Sequence, residues 1–241
     1  MEILAVIPAR SGSKGLLDKN ILPLRGYPLL AYSIVAATSA DCVTRVICST
    51  DSKKYAEIAI KYGAEVPFLR PKRDARDDST DFDVFFHLLE QLQKNENYNP
   101  DIIIQLRPTS PLRYPGMIDD AILAFNNSKN ADSLRAISYP DLTPYKMWRI
   151  NKKNFMEPLL QIPNNPEPYN TNRQSLPEIY AQTGSIDVIR RNTITKKMSM
   201  TGTNILPFFI ANKYFVDIDD QIGFSLCEIL LNDLNYIKPT I

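Results

Sequence analysis

A chain of 241 residues, 44% hydrophobic and 23% charged, can bury one substantial core, which excludes a disordered polyelectrolyte. A formal net charge of +1 supplies no global field for nucleic acid or an anionic membrane, so any anion must be met by a local cluster. Cys42, Cys48 and Cys227 are odd in number without C-x-x-C spacing, no run approaches the roughly 20 apolar residues of a membrane span, and the chain opens on a strand pattern; the expectation is a cytoplasmic protein with buried thiols and no nucleic-acid or membrane partner.

Glu2–Ile7 (EILAVI) is an apolar run closed by Pro8, suited to a strand at the centre of a parallel sheet. The next twelve residues, ARSGSKGLLDKN, hold two glycines, two serines and three cations. Gly12 and Gly15 let backbone amides approach a ligand, and Arg10, Lys14 and Lys19 set charge beside them; these are the parts needed to wrap a polyphosphate. The loop is neither a Walker A nor a G-x-G-x-x-G, and a surface turn with solvated lysines is the competing reading.

Apolar spacing predicts a helix over Tyr27–Ala40, with Pro28 in its first turn, then a strand over Arg45–Thr50. Asp51 and Ser52 offer N-cap chemistry to a helix that Gly63 ends, and Glu65–Leu69 is again strand-like. Strand and helix alternate, which argues for a parallel sheet with right-handed crossovers. The charges of Arg70–Thr80 read mostly as a solvated loop. A helical stripe of Phe82, Phe85, Phe86, Leu89 and Leu92 follows, and His87, the only histidine, is expected to pack there, so histidine triads and histidine zinc sites are set aside.

Asp101–Leu106 is a buried strand, and RPTSPLR follows at its C-terminal end, where such sheets place ligands. Seven of the 18 prolines lie from Pro140 to Pro177, which marks 140–178 as an insertion of arms and loops. Its Tyr145, Met147, Trp148, Phe155 and Tyr169 need something to cover them. Phe215–Asp220 (FVDIDD) sets Asp217 and Asp219 on one face of an extended segment. Such a pair is a hard-oxygen site suited to Mg²⁺, or else N-cap chemistry, with Asp220 placed to cap a helix from Gln221.

IPARSGSKGLLDKN with ILPLRGYPLLAYSI, then CSTDS, KYGAEV, QLRPTSPLR, NRQSLPEIY and VDIDD, resembles the CMP-sialic acid synthetase (acylneuraminate cytidylyltransferase) family over nearly the whole chain. The resemblance implies an α/β, Rossmann-like, mostly parallel sheet sandwiched by helices, in one domain over 1–241. Residues 140–178 would be an inserted excursion for dimerisation and substrate capping, in a homodimer or a tetramer built from it. The implied reaction activates a nonulosonic (sialic-type) acid with CTP. Mg²⁺ assists attack of the anomeric hydroxyl on the α-phosphate, giving the CMP-sugar and pyrophosphate.

Carried over residue by residue, Arg10, Lys19 and Asp219 are catalytic. Ala9, Ser11, Gly12, Ser13, Lys14, Gly15, Asn20, Arg70 and Ser79 hold CTP. Gln105, Lys146, Arg173 and Asp187 meet the sugar, Arg173 because a guanidinium grips a carboxylate bidentately. Asp217 and Asp219 hold Mg²⁺. Three positions depart from the family pattern. Arg107 replaces a residue that is often uncharged, and Gly223 replaces an acidic one. Asp187 stands where sialic acid-specific members carry tyrosine; it either reads a different sugar substituent or faces outward. That change shifts weight from N-acetylneuraminate toward legionaminic- or pseudaminic-type acids. A 3-deoxy-octulosonate-type substrate, and a nucleotide-binding dimer without turnover, are the alternatives.

Overall fold

In a computed structural model, which describes residues 1–239, six strands form the central sheet: β1 (Ile3–Pro8), β2 (Arg45–Ser49), β3 (Ile102–Gln105), β4 (Ser133–Ser138), β5 (Ala181–Arg190) and β6 (Ile205–Phe209). Their spatial order is β6-β4-β5-β3-β1-β2. Every neighbouring pair is parallel except those made by β5, which runs against both β3 and β4. The helices are α1 (Leu29–Thr38), α2 (Lys53–Lys61), α3 (Asp81–Glu96), α4 (Met117–Asn127), α5 (Arg191–Thr195) and α6 (Gln221–Leu230).

Side chains alternate across a strand, so β1 feeds two cores. Ile3, Ala5 and Ile7 pack with α1, α2, α4 and α6; Leu4 and Val6 pack with α3 and α5 on the opposite face. The result is the expected helix–sheet–helix sandwich, with the C-terminal ends of β1 and β3 side by side. His87 packs its ring edge-on against Phe68 at 5.9 Å. Cys48 and Cys227 are buried and Cys42 half-buried, and burial pushes all three thiols up to about 12, so they are neutral and inert near pH 7.

One expected strand does not form. Glu65–Leu69 contributes only a single bridge, Glu65 to Ile47, because the chain must leave the sheet edge to deliver Arg70. Residues 215–220 are extended but unpaired; exposure still alternates, with Val216 and Ile218 buried and Asp217 and Asp219 exposed. Asp220 caps α6, accepting from the Gly223 amide at 2.8 Å. A Cβ on Gly223 would lie 2.8 Å from the Asp217 carbonyl oxygen, so glycine lets α6 press against the Asp217 backbone.

Residues 140–178 add no strand to the sheet. They form short 3₁₀ turns and a two-stranded ribbon of Trp148–Ile150 with Met156–Pro158. Trp148 packs on Tyr169 with ring centres 4.4 Å apart, and Met147, Trp148, Ile150, Phe155 and Met156 stay exposed. Among the described residues, no helix is long and apolar enough to cross a membrane.

Asp132 pins the 197–204 connection to the sheet edge. Its carboxylate meets Lys197 Nζ at 2.6 Å and accepts from the amides of Thr203 and Asn204. The Lys197 ammonium, then those amides, hold its carboxyl far below the usual range. A carboxyl lowered on folding contributes stability above its unfolded pKa of about 3.9 and loses it as pH falls further. Asp132→Asn is therefore expected to lower the thermal midpoint at neutral pH and to shrink the fall in midpoint between neutral and acid pH, as read by circular dichroism.

Candidate functional site

Four connections converge at the C-terminal ends of β1, β2 and β3 around a cavity of about 450 Å³. They are the glycine-cation loop after β1, the charged segment 70–80, the RPTSPLR loop after β3, and the extended segment before α6. The Ile218 amide bonds the Thr109 carbonyl at 2.8 Å, which fastens the last of these to the third. Gly15 permits the first to join them, since a Cβ there would lie 2.6 Å from the Asp219 carbonyl oxygen. Six cations (Arg10, Lys14, Lys19, Arg70, Arg76, Arg107) and four carboxylates (Asp74, Asp77, Asp81, Asp219) line the cavity, a positive excess.

The loop is shaped by its own short bonds. Asp18 turns the chain in the left-handed region, φ 52°, into a 3₁₀ turn that points Lys19 inward, where its side chain is 14% exposed and its ammonium lies 2.7 Å from Asp219 Oδ1. The buried Asn20 amide donates to the Arg10 carbonyl at 2.9 Å and ties the loop's two ends. Arg10 reaches Asp77 at 2.7 Å, and Lys14 pairs with the same carboxylate. Arg70 is buried with its guanidinium on the Ser49 hydroxyl and carbonyl, and desolvation lowers its pKa.

Of the residues expected at the nucleotide, Ser13, Lys14, Gly15, Asn20, Arg70 and Ser79 line this cavity, together with the expected catalytic trio Arg10, Lys19 and Asp219. Three others do not. The Ala9 amide is spent on the Ser49 carbonyl, and both Ser11 amide and hydroxyl donate to Asp51 at 2.8 Å. Asp51 is thus a brace for the loop; Ser52 alone caps α2. Gly12 is exposed beside a neighbouring shallow groove.

The expected sugar contacts need correction within this chain. Gln105 is fully buried and donates to Asp81 Oδ2 at 2.9 Å; Arg107, two residues further along, is the one that reaches the cavity. Asp187 neither faces outward nor lines the cavity: it is fully buried and paired with Arg107 and Arg135. The two departures at positions 107 and 187 are therefore one feature, a charge pair with Nη1–Oδ2 at 2.8 Å. Arg173 caps the carbonyls of Pro140 and Asp141 and borders a separate cavity of about 420 Å³, and Lys146 belongs to the arm; neither borders the main cavity of its own chain.

Asp219 is 77% exposed, and Thr109 lies close enough to Asp217 to favour its charged form. Desolvation, reinforced by the charge of Asp219, raises the Asp217 carboxyl above its ordinary value. Among the described residues, no cluster of three or more His, Cys, Asp or Glu is arranged to hold an ion. Two carboxylates are nevertheless what Mg²⁺ takes from a protein when substrate phosphates supply the rest. In this structure Asp219 is paired with the Lys19 ammonium.

A family model described as cytidylyltransferase matches residues 4–214. The chain belongs to the cytidylyltransferase family. It is 34% identical over 237 residues to the CMP-N,N'-diacetyllegionaminic acid synthase of Legionella pneumophila, covering 96% of this chain and 97% of that one. It is 31% identical to the N-acylneuraminate cytidylyltransferase of Escherichia coli, over 93% of this chain and 51% of that longer protein. A solved CMP:2-keto-3-deoxy-manno-octonic acid synthetase complexed with CTP shares the fold, with a TM-score of 0.69 at 15% identity over 96% of this chain and 99% of the other.

Several residues of this cytidylyltransferase site gave no sequence signal. Asp77 stood among seven charges between Arg70 and Asp78, and nothing in that run singles out the one that meets Arg10 and Lys14. Asp81, in the first turn of α3, accepts from both Gln105 and Arg107. Arg113 closes a recognisable motif, yet its complete burial follows only from the strands packed around it.

Proposed function

We propose that this cytidylyltransferase joins CTP to a nonulosonic acid of the sialic or legionaminic type, releasing pyrophosphate. The convergence of Arg10, Lys14, Lys19 and Asp219 on one cavity carries this reading, in a chain so similar to a legionaminic acid synthase. The anomeric hydroxyl oxygen forms a bond to the α-phosphorus. The bond to the bridging oxygen breaks, pyrophosphate leaves with that electron pair, and the hydroxyl proton is released. Little covalent work falls to the protein; alignment and charge stabilisation dominate.

Arg10, Lys14 and the amides of Ser13 to Gly15 take the β- and γ-phosphates, which displace Asp77 from the two cations. Lys19 follows the charge that builds on the leaving oxygens. Arg70 and Ser79 face the nucleoside, with Asn20 steadying the loop. Asp217 and Asp219 would hold Mg²⁺, which when bound would supply Lewis acidity at the phosphate oxygens. The exposed Met147, Trp148, Ile150, Phe155 and Met156 of the arm suit a homodimer, in which Lys146 and Arg173 address the partner's sugar.

Pyrophosphate release from CTP with Mg²⁺, measured across a panel of nonulosonic acids and a 3-deoxy-octulosonate, tests the assignment. Release is expected with one or more nonulosonic acids and to be weak with the eight-carbon acid. Preference for the octulosonate moves the substrate class; silence with every sugar leaves a nucleotide-binding dimer.

A further inference from the structure

Behind the cavity wall, Gln105, Asp187 and Arg135 stand in one register row across β3, β5 and β4. Gln105 and Asp187 are fully buried and Arg135 nearly so. Asp187 Oδ2 meets Arg135 on one side and accepts from Arg107 Nη1 on the other at 2.8 Å. Arg107 Nη2 donates to Asp81 Oδ2 at 2.7 Å, so the guanidinium is held from two directions. Gly184, at φ +71°, packs beside it: a Cβ there would lie 3.1 Å from Ser110 Oγ and in ordinary van der Waals contact with Arg107.

A buried ionic row stabilises a sheet no better than apolar packing of the same volume, which turns attention to what it aims. It aims Arg107. That guanidinium forms part of the cavity wall, and among the described residues its Nε–H has no hydrogen-bond acceptor.

We propose that Arg107 is the specificity-determining residue for the sugar, donating to the carbonyl oxygen of an acylamino substituent, with Asp187 and Arg135 as positioning residues. This rests on the cavity being the sugar-activation site. Asp81 and Asp187 balance the charges of Arg107 and Arg135, so the guanidinium offers directed N–H groups without excess positive charge. That combination suits a neutral carbonyl better than a second full anion, and the phosphates already have Arg10, Lys14 and Lys19. A hydroxyl at the same sugar carbon is a weaker and shorter acceptor, so the site discriminates between the two.

The test compares two nonulosonic acids that differ by acylamino against hydroxyl at one carbon, with the full chain and with R107Q, R107K and D187N. The Arg107 variants are expected to lower the acylamino-to-hydroxyl ratio of kcat/KM by roughly 10- to 100-fold, mainly through the KM of the sugar. D187N is expected to lower the same ratio by a smaller factor, because its effect passes through the aim of Arg107. Circular dichroism establishes folding, and should D187N not fold, the Arg107 variants decide the matter. An unchanged ratio, or equal losses on both sugars, overturns the inference alone. Absence of pyrophosphate release by the unaltered protein with every sugar overturns the proposed activity and this inference with it.

Discussion

Alanine at Asp219 is expected to slow CTP-dependent pyrophosphate release by about 100-fold or more while leaving the fold intact. Asp219 is the carboxylate at which the loop and the pre-helix segment meet: its carbonyl lies against Gly15, and its Oδ1 takes the Lys19 ammonium at 2.7 Å. Removing the carboxylate withdraws the proposed ligand for Mg²⁺ and the partner that orients Lys19. The side chain is 77% exposed, so the core has little stake in it and the thermal midpoint should barely move. Single-turnover assays at saturating CTP and Mg²⁺ separate this loss from weakened substrate binding. Near-normal turnover of the alanine variant would remove Asp219 from the catalytic set.

Methionine at Arg113 is expected to act in the opposite way, on stability first. Arg113 is the largest fully buried side chain, and it donates to the Ser185 carbonyl at 2.8 Å, the Ser33 hydroxyl at 3.0 Å and the Arg107 carbonyl at 3.1 Å. Burial, reinforced by the nearby Arg107, lowers its pKa, and no carboxylate pairs with it among the described residues. Relief of that desolvated charge partly offsets the loss, but the substitution leaves the Ser185 carbonyl without its side-chain donor and a guanidinium-shaped gap. An unsatisfied buried group costs about 1–3 kcal/mol, and with imperfect packing the sum is about 3–5 kcal/mol. Urea unfolding should register it as a lower midpoint at unchanged slope. Activity at temperatures below the transition should fall less, since Arg113 is one shell removed from the cavity. A variant as stable as the parent would mean that the desolvation cost of Arg113 equals its hydrogen bonding.

The local patterns that were readable are those in which neighbouring residues suffice. Alternation in EILAVI, the stripe from Phe82 to Leu92, and the capping role of Asp220 each depend on a few adjacent side chains, and β1, α3 and α6 follow them. The loop from Ala9 to Asn20 was legible as cation-rich because glycine and cation content is itself local. Its internal division of labour was not: Ser11 is turned to Asp51, some 40 residues away in sequence, instead of into the cavity. Glu65–Leu69 has strand composition, yet an edge position and the need to deliver Arg70 outweigh propensity.

By itself the sequence determined the class of the protein: a cytidylyltransferase with a mostly parallel sheet, a cation-rich loop after its first strand and two late aspartates. Tertiary structure alone decided which groups meet. Gln105 and Arg107 differ by two positions in one loop entry, but only the register of β3, β5 and β4 buries the first and turns the second to the cavity. Asp187 could be assigned no partner from its neighbours, because its counter-ions come from the loop after β3 (Arg107) and from β4 (Arg135). Charge pairing acts through space, and the chain brings those residues within reach only after the sheet has formed.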